Sequence, residues 1–227
     1  MNKTLFYFIL SFLFFFNAFA QKEKDSLFFD IQFKWKSEHL ELNKNYVSDK
    51  DTLQINVVKF YISGVEINYN DGTIFREKDS YHLINVEHFN SFPITKKENK
   101  EISKISFNIG IDSTASVSGA LSGDLDLQNG MYWAWQSGYI NMKIEGKSGS
   151  CKTRKNAFQF HIGGYLKPNY ALRKITINCD KQNQIDLVMD LSKLFEQINL
   201  SELNTIMIPC EKAMNFADLT TKIFFVE

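Results

Sequence analysis

A period of two runs through most of this chain and constrains its fold more than any other feature. In LFFDIQFKWK (residues 27–36), Phe29, Ile31, Phe33 and Trp35 fall on one side, while Asp30, Gln32 and Lys34 fall on the other. Only a strand with one buried face produces that pattern. TLQINVVKFYISGVEINY (52–69) alternates in the same way, and Gly64 interrupts it where a bulge would sit. Asn70-Asp71-Gly72 then supplies a hairpin turn before TIF. Further alternating segments place Ile105, Phe107 and Ile109 inward, then Ile140, Met142 and Ile144, then Phe158, Phe160 and Ile162, and last Arg173, Ile175 and Ile177. Strands at this spacing, with turn signals between them, predict a mainly β chain folded as an antiparallel Ig-like β-sandwich. One stretch departs from the period. In DLSKLFEQINL, Leu191, Leu194, Phe195 and Ile198 are spaced for one short amphipathic helix near the C-terminus, capped by Asp190 or Ser192. KIFFVE reads as a closing strand, and PITKKENKEISK (93–104) as a solvated loop or hairpin tip.

The N-terminus is of another kind. In MNKTLFYFILSFLFFFNAFA, Lys3 precedes an apolar run from Leu5 to Phe16, and Ala18-Phe19-Ala20 forms a small-x-small exit. This is a secretory signal peptide over residues 1–20, too short for a membrane span, with cleavage expected before Gln21. Residues 21–227 are expected to form a single exported domain in the periplasm or outside the cell. Lysine and arginine total 26 against 26 aspartates and glutamates. The balance lacks the basic excess that nucleic-acid binding requires. No second long apolar run predicts a membrane span. Three cysteines occur, and Cys151–Cys179 is the expected disulfide, leaving Cys210 as an odd thiol.

Catalytic signatures are absent from the sequence: no GxSxG elbow, P-loop or HExxH is found. Four histidines remain to be weighed singly. His161, in FQFHIGGY, lies on the strand face opposite Phe160 and Ile162, and the following Gly163 and Gly164 permit close approach of a backbone or ligand. His82 sits in a strand, opposite Tyr81 and Leu83, whereas His39 and His88 have turn-like neighbours. DLDLQNG (124–130) lacks the later glutamate of a calcium loop and reads as a turn. Trp133 and Trp135, one residue apart, are expected on one side of a strand, followed by the polar exit Gln136-Ser137-Gly138-Tyr139. A hydrophobic core is the ordinary use of such a pair, and an intact indole has no lone pair for a metal.

GMYWAWQSGYINMKIEG, with FHIGGY downstream and KFYISGVEI and SFNIGIDS upstream, resembles the MbnP-like family of exported copper-binding proteins. The resemblance implies a periplasmic β-sandwich that binds copper and is not an enzyme. It further implies a tryptophan oxidised to kynurenine, whose aryl amine and ketone can coordinate copper, by a partner di-haem enzyme of the MauG type. By motif position Trp133 and Trp135 are the candidates for modification, His161 is the imidazole ligand, and Tyr139 supports them. Family members carry another histidine before the tryptophan block, where STASVSGAL (113–121) has none, which leaves a copper site that is incomplete, remodelled around His82 or His39, or lost. The competing expectation is a metal-free interaction module of the envelope, with both indoles in the core. The two differ in geometry: copper binding requires His161 and the tryptophan edge to converge.

Overall fold

The computed structural model describes residues 26–88, 90–119, 121–136, 138–180 and 184–227. The expected leader and its cleavage point lie outside them. In chain order the framework strands are β1 (Ser26–Trp35), β2 (Thr52–Tyr69), β3 (Tyr81–Asn85), β4 (Ser91–Lys96), β5 (Ile102–Ile109), β6 (Ile140–Ser148), β7 (Ala157–Gly163), β8 (Arg173–Asn178), β9 (Gln184–Asp190) and β10 (Phe224–Val226). The helices are α1 (Ser113–Val117), α2 (Leu191–Phe195) and α3 (Glu211–Thr220).

Two sheets face each other. The first runs β10–β9–β1, with Glu38–His39 and β4 pairing along β1; the second runs β8–β5–β2–β6–β7, closed by the short strand Thr205–Ile206. The alternating residues read from the sequence fill the space between them: Phe29, Phe33, Phe60, Phe107, Phe158 and Phe160 are all buried there. Phe29 meets Phe107 edge-on across the sandwich at 5.7 Å, and Phe33 meets Phe60 at 6.2 Å. The mainly β sandwich is therefore as expected, with one refinement. Most pairings are antiparallel, but β1 and β9 run parallel from Phe28↔Gln184 to Lys34↔Asp190, as do β7 and Thr205–Ile206. Strands this distant in sequence are not joined by a hairpin, so nothing forces them antiparallel.

β2 organises the second sheet. Its first half pairs with β6 (Leu53↔Ser148 to Phe60↔Met142) and its second half with β5 (Ile62↔Ile109 to Tyr69↔Ile102). The register shift between Ser63 and Glu66 surrounds Gly64, whose φ is +57°. A Cβ there would stand 2.6 Å from Asn108 Nδ2, so both the conformation and the space favour glycine. The bulge lets one strand serve two neighbours placed end to end.

The amphipathic stretch forms α2, with the Asp190 carboxylate accepting from Ser192 N–H at 3.0 Å. A longer helix, α3, follows it and was not read from the sequence. Its buried face, Ala213, Phe216, Ala217 and Thr220, packs Phe216 on Phe160 at 4.8 Å. Among the described residues no helix is long and apolar enough to cross a membrane.

Candidate metal centre

The outer face of the second sheet carries a second, smaller core. Tyr61, Ile111, Leu125, Met131, Trp133, Tyr139 and Ile140 form it, with Tyr81, Leu83 and Tyr132 at its margin. It exists because α1 and two 3₁₀ turns, Gly123–Leu125 and Leu127–Asn129, lie over the sheet. Tyr61 donates to the Asp124 carbonyl at 2.9 Å, and the Asp124 carboxylate accepts from Leu83 N–H at 2.8 Å. Asp126 accepts from Gln128 N–H at 2.8 Å. DLDLQNG is thus a turn, as expected, with both carboxylates held by the chain itself.

The tryptophan block corrects an expectation. It is not a strand with two indoles on one side. Ile140 N–H donates to Met131 O, Tyr132 bridges Tyr139, and Trp133 N–H donates to Gly138 O at 2.9 Å, so Trp133 and Gly138 close a small hairpin. Trp133 lies inside at 5% exposure, and Trp135 stands at the tip at 64%. Their rings still meet, with centroids 5.9 Å apart and planes 47° apart.

Gly163 places Trp133. A Cβ at this position would lie 2.8 Å from Trp133 Cζ3 and 2.6 Å from Tyr139 O, so only a bare backbone admits the indole. Phe160 and Ile162, on either side of His161, face the main core, so His161 faces the outer side, where Trp133 lies. It is buried at 6% exposure, and its Nε2 is 2.7 Å from Glu145 Oε1. The hydrogen bond from His161 holds the Glu145 carboxyl below its usual range against the opposing effect of burial, and Lys143, 3.7 Å away, adds to it. Among the described residues, the buried Trp133 indole Nε1 has no hydrogen-bond partner.

Tyr139 stitches this corner together. Its hydroxyl donates to Leu125 O at 2.8 Å and accepts from Leu121 N–H at 3.3 Å. Burial raises its phenol pKa. Its ring meets Tyr61 and Tyr132 edge-on at 5.9 and 5.0 Å.

The other predicted residues lie elsewhere. His82 pairs with Ile62, stacks on Phe92 at 3.8 Å and has Nε2 2.9 Å from Glu77 Oε2. Its neighbour Ile84 faces the main core while Tyr81 and Leu83 face the outer one, so His82 is on the face opposite His161. His39 is exposed on the strand beside Lys34, and His88 is exposed in a turn. The expected Cys151–Cys179 disulfide is also corrected. Cys151 follows Ser148, which pairs with Leu53, whereas Cys179 follows Asn178, which pairs through Lys104 with Asn68. The two thiols lie at opposite ends of β2, on the order of 40 Å apart at strand rise. A disulfide needs Cα atoms within about 7 Å.

Glu145 and Lys143 were missed, although their signal was present. They alternate outward in NMKIEG, and pairing β6 with β7 sets Lys143 opposite His161. Among the described residues, no three His, Cys, Asp or Glu side chains form a ready metal cluster.

Comparison with known proteins places most of the sandwich. The MbnP family model matches residues 24–208. A search of curated proteins found no match. Among solved structures, MbnP from Methylosinus trichosporium is similar with a TM-score of 0.57 and 12% identity, covering 78% of this chain and 79% of that one. That likeness establishes a shared fold. The match from before β1 to Ile208 takes in every framework strand but β10 and the whole tryptophan–histidine corner, and on that ground the chain belongs to the MbnP family.

Proposed function

We propose that the protein is an exported copper-binding protein of the periplasm or cell exterior, acting in metal acquisition or homeostasis, and not an enzyme. The carrying observation is the buried Trp133 indole, without a hydrogen-bond partner among the described residues, lying across Gly163, two residues from His161 on the same sheet face. Glu145 takes Nε2 of His161 and so leaves Nδ1 as the metal-facing nitrogen, the arrangement by which carboxylates orient ligating imidazoles. An indole cannot complete such a site, because it has no lone pair. Conversion of Trp133 to kynurenine by a partner di-haem enzyme of the MauG type supplies an aryl amine and a ketone where the orphaned N–H now sits. Imidazole and aryl-amine nitrogens suit copper.

The metal-free interaction module expects both indoles in the core, and the exposure of Trp135 counts against it. The test is intact mass and copper content of the exported protein, made with and without the di-haem enzyme. Copper that is lost in His161→Ala, with a gain of about 4 Da at Trp133 when the enzyme is present, is the expected result. Copper without the mass change removes the kynurenine. Absence of both signals supports the interaction module instead.

A further inference from the structure

The three tryptophans form a natural comparison. Trp133 and Trp35 are equally buried, at 5% exposure each. Trp35 stacks on Tyr46 at 4.8 Å, itself buried, so that pair has no exposed aromatic member. Trp133 instead touches Trp135, whose ring is 5.9 Å away and 64% exposed. Trp135 does not fill the core, and the hairpin turn is closed by backbone bonds that any residue at this position would allow.

We propose that Trp135 is a one-electron relay between the surface and Trp133. Electron tunnelling falls exponentially with the gap between ring edges, and indoles with centroids this close are in contact. An oxidant outside the protein, of the haem or metal-complex class, accepts one electron from Trp135. The Trp135 radical cation then takes one electron from Trp133 and returns to a neutral indole. The oxidant is reduced by one electron and Trp133 is oxidised by one; no bond is made or broken in the relay. The Trp133 N–H retains its proton through this step, because no acceptor among the described residues reaches it. The proposal rests on the reading of Trp133 as the residue that is oxidised, and it explains how a buried indole is reached by an agent that cannot enter.

The relay is tested on the full exported chain with photogenerated ruthenium(III) tris(bipyridine), which is too bulky to touch a buried ring. Oxygen incorporation at each tryptophan is read by tandem mass spectrometry in aerated buffer. In the unaltered protein Trp133 is expected to be labelled well above Trp35 despite equal burial. Trp135→Phe is expected to lower labelling of Trp133 at least about tenfold, to the level of Trp35. Trp135→Tyr, which restores an oxidisable ring, is expected to recover most of it. Equal labelling of Trp133 and Trp35 in the unaltered protein, or undiminished labelling of Trp133 in Trp135→Phe, overturns the relay. If Trp135→Phe lowers labelling but the di-haem enzyme leaves Trp133 unchanged, the relay stands and the kynurenine reading falls. If the enzyme modifies Trp133 equally in Trp135→Phe, the reverse holds.

Discussion

Gly163 is the residue on which the candidate site turns, since its hydrogen is all that separates the strand backbone from the Trp133 ring. Gly163→Ala is expected to displace the indole and destabilise the protein by about 1–3 kcal/mol, the usual cost of overpacking. Denaturant melts measure the loss, and a red shift of tryptophan fluorescence reports the movement. The tyrosines of the outer core predict a pH response. Burial raises the phenols of Tyr61, Tyr81 and Tyr139, and the Asp112 carboxylate adds to the effect at Tyr81. A pKa raised on folding contributes stability that is complete below the unfolded value, near 10 for tyrosine, and is lost as pH rises above it. Unfolding free energy is therefore expected to fall above about pH 10, and Tyr139→Phe to shallow that fall while costing about 1 kcal/mol at neutral pH.

Among the elements, α3 shows how a short signal is lost. Ala213, Phe216, Ala217 and Thr220 have helical spacing, but Cys210 gives no side-chain cap and the preceding residues read as loop. Its hold on the fold is the Phe216 ring against Phe160. Phe216→Ala is expected to cost about 3–5 kcal/mol, read from denaturant midpoints, as for other buried phenylalanines. The tryptophan hairpin failed to appear in the sequence for the opposite reason. WAW has strand spacing, yet the backbone bonds that make it a turn come from Gly138 and Tyr139 further on. Spacing fixes side only once the backbone is known to be extended.

For the molecule as a whole, β2 sets the distances. It carries β6 at one end and β5 at the other, and so keeps Cys151 and Cys179 apart. The melting temperature of the oxidised protein is expected to be unchanged by a thiol reductant; a drop of several degrees would show a bridge that this topology forbids.

The alternation in the sequence determined the strands, the bulge at Gly64 and most of the main core, because burying one face of a strand demands a period of two that neighbouring residues display by themselves. The motif also marked His161 and the tryptophans. Only the tertiary structure decided the rest: that His82 faces away from His161, that Glu145 is the partner of His161, and that one indole is buried while the other is exposed. Those depend on which strands pair and in what register, and register is set by contacts between residues far apart in the chain.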